Sequence, residues 1–191
     1  LMRHETLHQI PALDEDGRVV DLFLLEKLIE PVKQCNPVVI MAGGEGKRLY
    51  PLTQNCPKPM LPIQGKPALE IILEQCIEAG FYQFYFSVNY LKNQIKDYFG
   101  DGSRWGISIE YLEENQPLGT AGALSLLSQK PSEPLLVLNG DVLSRIDYAR
   151  LMQYHSQSQC SATVCVREHV IEIPYGVVRV DNSQILEFEE K

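Results

Sequence analysis

From Pro37 onward two hydrophobic rhythms alternate along the chain. "PVVIMA" is a short apolar run without polar breaks, the pattern of a strand covered on both faces. "PALEIILEQCIEAG" sets Leu69, Ile72 and Cys76 on one helical stripe and stops at Gly80. The same exchange then repeats. "FYQFYFSVNY" predicts a second strand, and "LKNQIKDYFGDG" a helix ending at glycine. "ISIEYLEE" predicts a third strand, "TAGALSLLSQ" a helix, and "PLLVLNGD" a fourth strand. "DYARLMQYHSQS" predicts a helix and "SATVCVRE" a fifth strand. "YGVVRV-DNS-QILEFEE" reads as a hairpin. Strands alternating with helices predict βαβ units: an α/β fold with a Rossmann-like, mostly parallel mixed sheet flanked by helices. In such sheets ligands sit at the carboxyl ends of the strands. Both the glycine stretch that starts at Gly43 and "NGD" at Asn139–Asp141 fall at carboxyl ends. The run from Phe81 to Tyr90 is expected to be sheet core.

Ahead of Pro37 the pattern differs. "QIPALDEDGRVVDLFLL" predicts two short strands about the turn "DEDG", with a helix "LLEKLIE" behind. That is too little to bury a core alone. The stretch "IPALDEDGRVVDLF" resembles the closing strand pair of a CBS domain. CBS modules hold adenine nucleotides through a Thr and an Asp whose places are taken here by Leu24 and Lys27. Residues 1–35 are therefore expected to be a structural remnant or linker subdomain, and residues 36–191 the main domain.

Composition narrows the classes. The chain has 191 residues, 45% hydrophobic and 22% charged, as in a globular protein. No apolar run approaches the ~20 residues that span a bilayer, so no membrane role is expected. The opening "LMRHETLHQI" lacks the basic-then-apolar order of a signal peptide and does not start with Met. A trimmed chain or a fragment is expected. The net charge of −8 argues against a nucleic-acid partner, which needs a basic face. Five scattered cysteines form no C-x-x-C pair, and buried thiols in a reducing cytoplasm are the expectation. None of His4, His8, His155 and His169 stands at metal-ligand spacing. Self-association into a homo-oligomer is left open.

The candidate chemistry lies in "MAGGEGKRLYPLTQNCPKPMLPIQGKP", Met41 to Pro67. Gly43, Gly44 and Gly46 follow a strand, where bare backbone N–H groups can approach an anion. The stretch is not a P-loop, which needs glycine at Met41 and Ser or Thr at Arg48. It is not a dinucleotide fingerprint, which needs glycine at Leu49. Pro51, Pro57, Pro59, Pro62 and Pro67 stiffen the continuation and hold Lys58 on a rigid arm. Arg48 from the flexible part and Lys58 from the rigid part can then aim at one polyphosphate, Arg as a bidentate fork and Lys as a point charge.

These residues resemble the signature of the sugar-1-phosphate nucleotidyltransferases, G-G-x-G-x-R-L-x-P-L-T-x-x-x-P-K-P-x-L-P-I-x-G-K-P. The match is nearly complete from Gly43 to Pro67, and the likeness continues through "QPLGTAGALSLL", "LVLNGDVL" and "YGVVRVDNSQILEFEEK". Lys47 departs from it, standing where many members carry Thr. The resemblance implies an enzyme that joins an NTP to a sugar-1-phosphate, giving an NDP-sugar and pyrophosphate with Mg²⁺. On it, Gly43, Gly44, Gly46 and Lys47 cradle the nucleotide phosphates, while Arg48 stabilises the α-phosphate and the leaving pyrophosphate. Lys58 holds the sugar phosphate and Asp141 ligates Mg²⁺. Asn89 reads a base edge, and Gly119 with Thr120 admits the base. Gly176, Glu190 and Lys191 meet the sugar phosphate, with "EFEEK" cut before the family's proline. "PLGTAGAL" with "VLNGDVL" looks most like members that use GTP, such as mannose-1-phosphate guanylyltransferases. Uridylyl and thymidylyl transferases share these motifs. A nucleotide-binding module without turnover is the rival class, although a pure binder needs no Arg48, Lys58 and Asp141 together.

Overall fold

The structure is a computed structural model that describes residues 9–24, 31–116, 118–170 and 175–189. The chain packs as two compact units, 1–158 and 159–191.

In the first unit, strands β1 (Gln9–Leu13) and β2 (Val19–Leu24) pair antiparallel about the expected turn. The Asp14 carboxylate accepts the N–H groups of Asp16 and Arg18, which closes that turn. The helix expected at "LLEKLIE" lies outside the described residues, apart from the backbone of Leu24. The main sheet has four parallel strands: β3 (Val38–Met41), β6 (Gln83–Val88), β7 (Ser108–Glu113) and β8 (Leu136–Asn139), in the order β7-β6-β3-β8. Val38, Val39 and Ile40 are fully buried, as the unbroken apolar run required. Helix α1 (Ala68–Glu78) buries Leu69, Ile72, Leu73 and Cys76 against the sheet. It stops at Gly80, whose φ is +96° and where a Cβ would lie 2.2 Å from the Val32 carbonyl oxygen, so only glycine fits. Helix α2 (Lys92–Phe99) adds Ile95 and Phe99, with Phe99 edge-on to Phe86 and stacked on Trp105. Helix α3 (Tyr148–Ser158) buries Tyr148 and Met152.

Between β3 and α1, two residues on each side form a small ribbon, β4 (Pro62–Ile63) and β5 (Lys66–Pro67). Its turn, Gln64–Gly65, has positive φ at both positions, the geometry whose twist suits a two-residue hairpin. The proline-stiffened arm thus ends in a paired ribbon, an element that the sequence reading did not include.

Two expected elements do not form. "TAGALSLLSQ" gives only a short 3₁₀ turn, Gly122–Leu126. There the Ser125 hydroxyl donates to the Gly122 carbonyl at 2.7 Å, and the Leu124 N–H bonds back three residues to Ala121. Local bonds of this kind compete with the α-helical ladder. "SATVCVRE" belongs to none of the described sheets, and Val164 and Val166 are exposed. Alternating apolar residues make a strand only where a neighbour supplies a ladder. In the second unit, β9 (Val177–Asp181) and β10 (Gln184–Glu189) form the expected hairpin about Asn182–Ser183.

The cysteines also depart from expectation. Only Cys76 is buried; Cys56 is half-buried, and Cys35, Cys160 and Cys165 are exposed. Cys76 alone lies on an apolar stripe that packs, and burial pushes its thiol up to about 12. Among the described residues, no helix is long and apolar enough to cross a membrane.

Candidate functional site

The strand order locates the site. From β3 the chain runs outward through β6 to β7, then returns to the other side of β3 for β8. Connections that leave one strand pair in opposite directions open a crevice at the carboxyl ends. The register places Met41 of β3 opposite Asn139 of β8, and the Gly140 N–H donates to the Met41 carbonyl at 2.9 Å. The glycine loop after β3 and Asp141 after β8 therefore emerge side by side. A Cβ on Gly140 would come within 3.0 Å of that carbonyl oxygen, so glycine lets the two strand ends close up.

A cavity of about 400 Å³ fills the crevice, with Gly44, Gly46, Lys47, Arg48, Lys58 and Asp141 in its wall. Its charged lining is Lys47, Arg48 and Lys58 against Glu45 and Asp141, a net +1 in a chain of net charge −8. Local positive charge in an acidic protein suits a small anion. Lys58 and Asp141 form an ion pair across the cavity. Lys47 pairs with Glu45 at 2.6 Å, and that hydrogen bond raises the Lys47 pKa. Arg48 is exposed at the end of the Gly46 turn, and among the described residues no carboxylate pairs with it.

The two halves of the motif interlock at Gly46. Its φ is +64°, and a Cβ there would meet the Lys58 Cβ at 2.9 Å and the Thr53 Cγ2 at 3.1 Å. Thr53, wholly buried, donates from its hydroxyl to the Gly46 carbonyl at 2.9 Å. Only a residue without a side chain lets the arm lie this close to the loop. Lys58 opens a one-turn 3₁₀ helix, Lys58–Met60, that starts directly after Pro57.

Asn89 follows β6 and lies beside Gly43: its Cβ is 3.3 Å from where a Gly43 Cβ would be. Beneath the same glycine sits Glu114, buried, which sequence reasoning missed. One carboxylate oxygen accepts the Ser87 hydroxyl and the other the Leu118 N–H at 2.9 Å. Glu114 thereby ties β6, beside the glycine loop, to the backbone just before Gly119, where φ is +82° and an added Cβ would meet no heavy atom within 4 Å. Gly119 and Thr120 are both exposed. No sequence signal marks Glu114, which closes the expected strand "ISIEYLEE" beside a second glutamate. Gly176 precedes β9 in the second unit, and Glu190 and Lys191 lie outside the described residues.

A metal would find two carboxylates in this wall, Glu45, which Lys47 engages, and Asp141 at the end of β8. Among the described residues, no group of three or more His, Cys, Asp or Glu converges. Asp141 on the cavity wall fits Mg²⁺, which takes one or two carboxylates and fills its shell with phosphate oxygens and water.

A parallel α/β sheet with a cationic cavity at its switch point is an architecture that offers a ligand site at the strand ends. Residues 37–191 match the Nucleotidyl transferase family, and the chain belongs to that family. It is 36% identical over 155 residues to mannose-1-phosphate guanylyltransferase of Mycobacterium tuberculosis, covering 80% of this chain and 43% of that protein. It is also 36% identical to UTP–glucose-1-phosphate uridylyltransferase of Synechocystis, with the same coverage of each. The D-glycero-alpha-D-manno-heptose 1-phosphate guanylyltransferase of Aneurinibacillus thermoaerophilus is 34% identical, over 80% of this chain and 66% of that one. The chain thus spans less than half the length of the first two relatives. Among solved structures, HddC from Yersinia pseudotuberculosis complexed with GMP-PN superposes with a TM-score of 0.55 at 28% identity, over 82% of this chain and 69% of that one. A putative glucose-1-phosphate thymidylyltransferase from Bacillus anthracis gives 0.59 at 22% identity, over 81% and 63%, which bears on the fold alone.

Proposed function

We propose that this chain carries the nucleotide-binding part of a cytoplasmic sugar-1-phosphate nucleotidyltransferase, with GTP as the favoured NTP. The observation that carries the reading is the convergence of the glycine loop, Arg48, Lys58 and Asp141 on one cavity. An oxygen of the sugar phosphate attacks the α-phosphorus of the NTP, a new P–O bond forms, and the bond to the β-phosphate breaks to release pyrophosphate. No side-chain nucleophile takes part. The chain's task is alignment and charge neutralisation, and orientation alone can contribute roughly 7–11 kcal/mol.

Gly43, Gly44 and Gly46 present backbone to the phosphates, helped by the Lys47 ammonium. Arg48, which no carboxylate among the described residues engages, is ready for the α-phosphate and pyrophosphate. Lys58 holds the incoming phosphate, and Asp141 would hold Mg²⁺, which supplies further charge neutralisation. Asn89 and the Gly119–Thr120 turn flank the place for the base. Gly176, Glu190 and Lys191 are assigned to the sugar phosphate on the family pattern alone. The match beginning at residue 37 supports taking 36–191 as the transferase part and 1–35 as a structural, CBS-like piece ahead of it.

Calorimetry with GTP, UTP, dTTP and CTP in Mg²⁺, on the wild type and Arg48→Ala, tests the reading. One tight, Arg48-dependent NTP supports it and names the base; no binding of any NTP by the folded protein overturns it. Pyrophosphate release with a panel of sugar-1-phosphates then separates a transferase from a module that only binds.

A further inference from the structure

Lys58 projects into the cavity from an arm that contributes little to the core. Between Leu52 and Met60 only Thr53, Pro57 and Pro59 are buried, so polar bonds must set much of the arm's position. Thr53 fixes its near end to Gly46. Beyond Thr53 two side chains reach across, one from just before α2 and one from its first turn. The Tyr90 hydroxyl donates to the Gln54 carbonyl at 2.7 Å, and the Gln94 side-chain amide donates to the Asn55 carbonyl at 3.0 Å. These carbonyls belong to consecutive residues, three and four positions before Lys58.

The donors stand on a firm base. Tyr90 follows Asn89 directly after β6, and its own N–H points to the Gly43 carbonyl at 3.5 Å. Helix α2 is pinned to β7 by Lys92 and Lys96, which grip the two oxygens of Glu113 at 2.6 and 2.7 Å. Desolvation raises the Tyr90 pKa, so the phenol keeps the proton it donates. Tyr90 thus touches both the glycine loop and the proline arm, and the sheet-core role expected for the Phe81–Tyr90 run ends before it.

We propose that Tyr90 and Gln94 are positioning residues that fix the register of the arm, and thereby the reach of Lys58 into the cavity. The inference rests on the transferase reading for what Lys58 does, but the tether has its own reporter. Cys56 lies between Asn55 and Lys58, half-buried, with its thiol pKa raised by desolvation. A held arm keeps Cys56 slow towards alkylation; a released arm exposes it.

The test compares the wild type with Tyr90→Phe, Gln94→Ala and the double variant. Tyr90→Phe keeps the ring and removes only the donor. Iodoacetamide labelling is followed peptide by peptide. Each lost bond is expected to speed Cys56 labelling about fivefold, with Cys35 and Cys160 unchanged and Cys76 still protected. Unchanged Cys56 labelling in the double variant overturns the tether. Faster labelling of Cys76 as well shows general loosening and also overturns it. In turnover assays, KM for the sugar-1-phosphate is expected to rise in the same order, while NTP affinity stays within twofold. A faster Cys56 with unchanged KM overturns the positioning role. Should the wild type bind no NTP, the transferase reading falls, and the Cys56 rates still decide the tether.

Discussion

The loop from Gly43 to Gly46 and the arm from Pro51 to Pro67 line one cavity and keep their shapes by opposite means. Apart from the exposed Glu45 the loop is all glycine and has nothing to pack; it is shaped by the strand it leaves and by a left-handed turn at Gly46. The arm has φ fixed at its prolines, yet its path depends on bonds to groups outside it: its own Thr53 donates to the loop, while Tyr90 ahead of α2 and Gln94 within α2 donate to it. On the proposed function, backbone freedom serves close approach to a ligand, whereas backbone stiffness serves the aim of one ammonium group. Each solution needs the other, since the arm can lie against the loop only where Gly46 lacks a Cβ.

The largest effect expected from breaking this pairing is chemical. Lys58→Ala should lower kcat by about 10²–10³-fold, the usual loss for one donor aimed at developing charge. Thermal unfolding should stay near that of the wild type, because Lys58 is partly exposed. A variant with undiminished pyrophosphate release would remove Lys58 from the chemistry.

Two glycines then sharpen the comparison within the loop. Gly46→Ala forces a left-handed alanine, worth about 1–2 kcal/mol, and a 2.9 Å contact with the Lys58 Cβ. A Cβ on Gly44 meets nothing within 4 Å, so Gly44→Ala should stay within about 0.5 kcal/mol of wild type. Equal melting temperatures for the two variants would mean that loop and arm do not interlock. Thr53→Val, nearly isosteric, leaves the Gly46 carbonyl without its donor and should cost about 1–2 kcal/mol in urea denaturation.

The smallest effect lies at the base of the arm's support. Lys92 and Lys96 hold the Glu113 carboxyl down from the ordinary 4.5 to about 2. A folded-state pKa below the unfolded one stabilises the fold above the ordinary carboxylate range. That contribution fades as pH falls from about 4.5 through about 2. A carboxyl NMR titration should place the Glu113 midpoint near 2, and Lys92→Ala should move it upward. A midpoint at the ordinary value in wild type would break the pairing.

Some of this was legible in the residues and some was not. The apolar run Val38–Ile40 and the stripe Leu69, Ile72, Cys76 determine a covered strand and a packed helix, because burying apolar surface favours one periodicity each. Gly80 marks a helix end because a left-handed cap tolerates little else. The Gly43–Pro67 motif was legible as a unit because its constraints are local: no side chain at the loop's glycines, no φ freedom at the prolines. The "SATVCVRE" alternation misled, since a strand needs a neighbour and periodicity does not supply one. Four of the five cysteines misled as well, because residue type does not tell which surface is covered.

The sequence by itself therefore determined the βαβ rhythm, the anion-ready loop and the cations on either side of it, all of which follow from interactions within a few residues. Only the tertiary structure decided that β8 returns beside β3, which brings Asp141 from 83 positions away onto Lys58. It also decided that Glu114 is buried under Gly43 and that Tyr90 reaches Gln54. Those contacts join residues far apart in the chain, and their energy depends on strand order and on what excludes water, which no local pattern encodes.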